Sequence, residues 1–293
     1  MARIISIYFA GWSDKTIAQQ RASQEKAGAG GRATRFRRGV QFDPLTVAGV
    51  PAEWATPADA TGEAILYLHG GGYCLGSINA SRDLIARLAQ ATRRRVLAID
   101  YRLAPENPFP AALEDALAAC DWLRQQGVAP SRLLLAGDSA GGGLAVATLI
   151  ALRDADLPLP AGAICFSPWV DLALTGPSAH SGAVADPMLT ASILARYAAA
   201  CAGETPLTHP LLSPLYADLR GLPPLLIQVG TREILLDDAV RLARRAEEAG
   251  VSVALQKWEG LFHVFQFAPF LPESRQALAL VADYCAGLAA TAA

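Results

Sequence analysis

A serine with glycine two places before it and two places after it, Gly137-Asp138-Ser139-Ala140-Gly141, lies between an aliphatic run, Leu133-Leu134-Leu135, and a helix-prone stretch that continues to Ile150. A serine at the crest of a sharp strand-to-helix turn holds a strained backbone, and where strand and helix crowd together only residues without a Cβ fit. Such a turn lifts the hydroxyl clear of a sheet. It also aims the free N–H groups of the helix N-terminus at any oxyanion formed there. The chemistry to expect is nucleophilic attack by Ser139.

A serine hydroxyl is a weak nucleophile at neutral pH and needs a base within hydrogen-bond reach, itself oriented by a carboxylate. Of the four histidines, His69 precedes a glycine run, and His180 and His209 fall in an irregular interval and at its exit. His263, in Gly260-Leu261-Phe262-His263-Val264-Phe265, follows the last strand-like run and is the candidate base; the competing reading is a histidine that fills an apolar loop. The acid is expected within Gly230-Thr231-Arg232-Glu233-Ile234-Leu235-Leu236-Asp237-Asp238. Glu233 stands close to the strand end, whereas Asp237 stands where the next helix begins, a place where acids commonly cap a helix or face its dipole. Glu233 is therefore favoured, with Asp237 kept as the alternative. Ser, then acid, then His is the chain order that accompanies this kind of turn.

Oxyanion donors are suggested by His69-Gly70-Gly71-Gly72-Tyr73. Consecutive glycines let main-chain N–H groups turn inward, so those of Gly71 and Gly72 can converge with that of Ala140 on one oxygen. A glycine run alone is more often a flexible turn; one that opens with histidine at a strand end, upstream of the serine, is less ambiguous. His69 is expected to brace this loop rather than to transfer protons, with Gly70 and Asp138 in support. Tyr73 and Trp169 are candidates to border an apolar pocket, against the alternative that both belong to the core.

Residues so far apart in the chain need a scaffold that gathers them. From residue 64 onward strand and helix patterns alternate: strands at 64–68, 95–100, 132–136, 162–166, 224–229 and 251–257, and helices at 81–92, 110–126, after Ser139, 237–249 and 274–288. Such alternation predicts an α/β fold, a mostly parallel sheet with helices on both faces, whose ligands gather at the carboxyl ends of the strands. The interval 171–210 breaks the rhythm and is placed to act as a lid, which a helix from Trp12 to about Arg32 would complete. Two further strands, 34–42 and 45–54, are expected to form an antiparallel edge joined through Asp43-Pro44. The resulting division is 1–33 as an N-terminal cap segment, 34–170 and 211–293 as the two parts of the core, and 171–210 as a cap insertion.

Composition removes several classes of function. Hydrophobic residues make up 52 % of the chain and the formal net charge is −2, which gives no electrostatic footprint for nucleic acid. No apolar run approaches the ~20 residues of a membrane-spanning helix, so no stable membrane insertion is expected. The patch from Ile4 to Phe9 reads as a core- or pocket-facing helix rather than an export signal. The five cysteines are odd in number, scattered and without metal-ligand spacing; they suit a reducing compartment, and a cytoplasmic address follows by default. No metal or other cofactor is implied.

His69-Gly70-Gly71-Gly72 together with Gly137-Asp138-Ser139-Ala140-Gly141 resembles the hormone-sensitive-lipase family of esterases in the α/β-hydrolase fold, the bacterial family IV carboxylesterases. Tyr101-Arg102-Leu103-Ala104-Pro105-Glu106, Phe166-Ser167-Pro168-Trp169, Leu212-Ser213-Pro214 and Leu222-Pro223-Pro224 are similar to further landmarks of that family. The resemblance runs from about residue 64 to the C-terminus. It implies Ser139 as nucleophile, His263 as base, Gly71, Gly72 and Ala140 as oxyanion donors, a helical cap, and a small-molecule ester with a short- to medium-chain acyl group as substrate. It also implies a homodimer through the last strand and helix. Many relatives carry Asp-Pro-Leu-x-Asp in the acid loop, where this chain has Glu233-Ile234-Leu235-Leu236-Asp237, so glutamate stands at the usual aspartate. The same machinery also suits amide, lactone or thioester substrates, and the same fold can serve as a non-catalytic small-ligand-binding protein.

Overall fold

Predominantly apolar runs make strands that are buried on both faces, and four of them form the middle of the sheet. The computed structural model describes residues 11–29, 38–180 and 186–291, so the apolar patch near the N-terminus and the start of the expected strand at Thr34 lie outside the described residues. Strands β3 (Ala64–Leu68), β5 (Leu133–Asp138), β6 (Gly162–Phe166) and β7 (Leu225–Gly230) are buried along their whole length. With β1 (Val40–Val47), β2 (Val50–Pro57), β4 (Arg95–Ile99) and β8 (Val253–Trp258) they form one eight-stranded sheet in the order β1-β2-β4-β3-β5-β6-β7-β8. The strands from β4 to β8 are parallel, and β2 pairs antiparallel with both β1 and β4.

The antiparallel edge is where expected, but its turn is not. Strand β1 runs straight through Asp43-Pro44, with Pro44 opposite Glu53, and the chain reverses instead at Ala48-Gly49, both at positive φ (49° and 91°). Proline is tolerated in an outermost strand, where its missing N–H breaks no inner ladder. A two-residue hairpin with both central φ values positive also matches the natural twist of the strands.

Side chains alternate across the sheet with period two, which divides the core. Ile65 and Tyr67 of β3 pack with Leu84, Ile85 and Leu88 of helix α2 (Ile78–Thr92) and with Leu278 and Val281 of α7 (Pro272–Thr291). Leu66 and Leu68 face the opposite side, where α3 (Ala111–Gln125), α4 (Ala140–Asp154) and α6 (Leu236–Glu248) lie. At the carboxyl ends of the strands sit α5 (Ala191–Ala202), capped by the Thr190 hydroxyl, and α1 (Ile17–Ala29), which packs on α2. Among the described residues no helix is long and apolar enough to cross a membrane.

One contact fixes the geometry of the turn after β5. A Cβ on Gly141 would lie 1.9 Å from the carbonyl oxygen of Leu68, and one on Gly137 would lie 2.3 Å from that of Gly141. The start of α4 thus presses against the end of β3, backbone to backbone, with no flexible side chain to yield. Gly141→Ala should therefore lower unfolding free energy by about 3 kcal/mol or more. Urea denaturation checks this; a loss below about 1 kcal/mol would mean that the two backbones can part at little cost.

Candidate active site

Ser139 occupies the junction of β5 and α4 with φ 54° and ψ −120°, a conformation that costs a non-glycine residue about 1–3 kcal/mol. Neighbouring backbone holds it there. Its N–H donates to Phe166 O at 2.8 Å, and its carbonyl accepts from the N–H groups of Trp169 (2.9 Å) and Gly143 (3.1 Å).

The loops after β7 and β8 bring Glu233 and His263 together. Glu233 is wholly buried, and its Oε2 lies 2.9 Å from His263 Nδ1. Its Oε1 accepts from the Ser167 hydroxyl at 2.7 Å and from the Gly230 N–H at 2.5 Å, so the carboxylate cannot rotate without breaking both. Ser167 Oγ accepts in turn from the Val264 N–H at 3.2 Å, next to the histidine, where Val264 itself is held at φ 45°. Burial works against the imidazolium, but the hydrogen bond and charge of Glu233, with smaller help from Asp186 and Asp138, outweigh it and hold the His263 pKa above its ordinary value.

Asp237 is engaged elsewhere. Its carboxylate accepts from the Ser178 N–H and its N–H donates to Ser178 Oγ at 3.1 Å, which ties the first turn of α6 to the segment after β6. Glu233, not Asp237, is thus the carboxylate on the imidazole. Ser139 and His263 line one cavity, although among the described residues the serine hydroxyl makes no hydrogen bond to the imidazole.

The glycine loop lies beside them. Gly71 (φ 123°) and Gly72 (φ 62°) adopt conformations that suit glycine, and their own N–H groups meet no protein acceptor among the described residues. The N–H of Ala140 opens α4, where no intrahelical acceptor exists. Asp138 anchors the loop: its Oδ1 accepts from the Gly70 N–H at 2.9 Å and from Tyr67 OH at 2.5 Å. Burial pushes the Asp138 carboxyl up, against the opposing pull of the Tyr67 hydrogen bond. His69 points its Nδ1 at Gly70 O (2.8 Å), stacks on Tyr101 with ring centroids 4.2 Å apart, and is buried beneath the loop, so its contacts are those of a brace.

A cavity of about 680 Å³ spans these groups. Its walls come from Trp12 and Gln24 at the N-terminal side, Met188, Leu189 and Tyr197 of the interval after β6, and Phe262, Phe267 and Phe270 around the histidine loop. Neither Tyr73 nor Trp169 lines this cavity, although Tyr73 borders a separate small cavity with Phe109 and Leu144. The two rings are tilted against each other at 6.3 Å in the core, and the Trp169 N–H is used by Asp171 O at 3.2 Å. The Trp169 backbone, in turn, lies against α4, since a Cβ on Gly143 would lie 2.1 Å from the Trp169 carbonyl oxygen.

Two residues had no role in the sequence reading. Ser167 stands in a quoted landmark, and its positive φ (47°) and contact with Glu233 appear only in three dimensions. Asp186 accepts from the Ile234 N–H at 2.9 Å, which fastens the interval after β6 to the loop carrying Glu233. Among the described residues no group of three or more His, Cys, Asp or Glu side chains is arranged to hold a metal ion.

Comparison with known proteins adds an independent line. A family model described as the alpha/beta hydrolase fold matches residues 65–267. An acetyl-hydrolase of Streptomyces hygroscopicus is 50 % identical over 237 residues, which cover 80 % of this chain and 79 % of that protein. An esterase of Acinetobacter venetianus is 38 % identical over 251 residues, covering 85 % and 83 % respectively. The crystal structure of an esterase from the bacterial hormone-sensitive lipase family matches with a TM-score of 0.88 at 47 % identity, over 92 % of this chain and 91 % of that one.

An imidazole that must be neutral to accept a proton, with its pKa raised, places the acid limb of kcat/KM above the ordinary histidine value of about 6.5. Glu233→Gln should move that limb to lower pH and reduce kcat/KM by about 10³-fold or more. Asp237→Asn should leave the limb in place, with less than a tenfold loss. A pH–rate profile of both variants checks the pair, and the reverse pattern would transfer the orienting role to Asp237.

Proposed function

The chain belongs to the α/β-hydrolase fold family, among its bacterial hormone-sensitive-lipase-like esterases, and from that premise we propose that Ser139, His263 and Glu233 are its nucleophile, base and orienting acid. It is a carboxylic ester hydrolase of the serine carboxylesterase class. The observation that carries the residue assignment is the buried Glu233–His263 hydrogen bond opening on the same cavity as a serine held at positive φ.

In this reading Ser139 Oγ attacks the ester carbonyl while His263 Nε2 takes its proton. The buried Glu233 carboxylate fixes the tautomer with Nδ1 protonated and stabilises the imidazolium that forms. The N–H groups of Gly71, Gly72 and Ala140 receive the developing oxyanion, at no reorganisation cost because the Asp138 anchor already sets the loop. The imidazolium protonates the leaving alcohol, and water activated by the same imidazole then releases the acid from Ser139.

Helix α1 and the segment 171–210 would serve as a cap over this reaction, an arrangement supported by their share of the cavity wall. The acyl group is proposed to be short to medium in length, a reading supported by the acetyl-hydrolase name of a relative at 50 % identity. The open outer edge of β8 supports pairing of two copies into a homodimer. Five buried free thiols support a reducing, cytoplasmic setting.

Ser139→Ala and His263→Ala should each reduce turnover of an aryl ester by about 10⁴-fold or more, and the double variant should be no worse than either alone, because the two act as a unit. Near-normal hydrolysis by either single variant would remove the assignment. Across aryl esters of rising acyl length, kcat/KM should peak between acetyl and hexanoyl; a maximum at dodecanoyl would contradict the short-acyl reading.

A further inference from the structure

The loop that carries Gly71 and Gly72 is secured on two sides, and the outer side is made by the N-terminal helix. Within the loop, the N–H groups of Cys74 and Leu75 both close on the Gly71 carbonyl, at 3.1 and 2.8 Å. The Cys74 carbonyl and the Gly76 N–H are left pointing outward, and peptide groups taken from water need partners. Both partners come from α1. Arg21 Nε donates to Cys74 O at 2.7 Å, and Gln24 Oε1 accepts from the Gly76 N–H at 2.9 Å. One step further along, Glu25 Oε2 accepts from Asn79 Nδ2 at 2.9 Å. Arg21, Gln24 and Glu25 are spaced i, i+3 and i+4, so one stripe of the helix follows the loop residue by residue.

Arg21 does more than bridge two elements. Its Nη2 also donates to Ala104 O at 2.6 Å, and its outer edge pairs with both oxygens of Glu106 at 2.9 and 2.8 Å. A planar fork of five donors can meet three such partners at once in a fixed relative orientation. The guanidinium thereby locks α1, the loop after β3 and the segment after β4 to one another.

We propose that Arg21 is a positioning residue for the oxyanion cradle: through the Cys74 carbonyl it fixes the peptide planes of the 71–75 turn and so the aim of the Gly71 and Gly72 N–H groups. This rests on the proposed assignment of Ser139 together with those two glycines. A cradle acts through its aim at the charged oxygen of the transition state, so loosening it lowers turnover while leaving ground-state binding nearly untouched. The carbonyl contacts carry the effect. The side chain of Glu106 is 59 % exposed, and an exposed ion pair adds little, whereas the part-buried charge-assisted bonds to two carbonyls are strong and directional.

Steady-state kinetics with an aryl acetate test this on Arg21→Met, Arg21→Lys and Glu106→Gln, together with inhibition by an alkyl boronic acid. Boron bonds to the Ser139 oxygen and places one of its own oxygens in the cradle. Arg21→Met should lower kcat about ten- to a hundredfold, keep KM within about twofold, weaken the boronic acid by the same factor as kcat, and hold the thermal midpoint within about 5 °C. Arg21→Lys, with one point donor, should recover part of the loss, and Glu106→Gln should stay within about twofold of the parent. Three results would each overturn the proposal: an unchanged kcat with a raised KM, a kcat loss without a matching loss of boronic acid affinity, or Glu106→Gln as damaging as Arg21→Met. Failure of the underlying assignment has a different signature, since Ser139→Ala would then keep both hydrolysis and sensitivity to the boronic acid, and the Arg21 proposal would fall with it.

Discussion

Everything at the site depends on how closely the start of α4 approaches the end of β3. The missing Cβ of Gly141 lets the helix sit against the Leu68 carbonyl at a distance no side chain would permit. That approach forces the chain to turn within one residue, which puts Ser139 at positive φ with its hydroxyl above the sheet. It also brings Asp138 within reach of the Gly70 N–H, so the same crowding that sets the serine in the cavity wall anchors the glycine loop beside it. The proposed nucleophile and oxyanion donors are therefore positioned by one steric constraint rather than by separate devices.

The histidine is positioned by a different means, a chain of buried hydrogen bonds that runs across three strand ends. Ser167 after β6 donates to Glu233 after β7, and Glu233 holds His263 after β8. Ser167 closes the circuit by accepting from the Val264 N–H. A carboxylate buried this deeply costs several kcal/mol unless its oxygens are satisfied, and here both are. Because the ladder of parallel strands fixes where each loop begins, the network joins points 97 residues apart along the chain with little freedom to drift.

Much of this was legible in the sequence for identifiable physical reasons. The four central strands announce themselves as predominantly apolar runs because both of their faces are buried, with Gln228 of β7 and Asp138 of β5 as the polar exceptions. The steric demand for glycine at 137 and 141 is absolute, so the turn leaves a mark that single residues can carry. The misplaced hairpin turn at Asp43-Pro44 has the opposite cause: proline ends most strands, but an outermost strand can absorb it, and only pairing reveals which strand is outermost. Tyr73 and Trp169 were ambiguous because an aromatic side chain packs equally well in a core or a pocket wall. Ser167, Asp186 and Arg21 were invisible because each acts on a backbone group or carboxylate tens of residues away, which leaves no local pattern.

The central claim, that one hydroxyl in this cavity is made nucleophilic by one imidazole, is tested most directly by covalent labelling. The protein is treated with a fluorophosphonate and the adduct is located by peptide mass spectrometry, in parallel with His263→Ala. The account predicts a single stoichiometric adduct on the peptide containing Ser139, and almost none on the variant over the same exposure. Labelling at another residue, or labelling of Ser139 at the same rate without the imidazole, would contradict it.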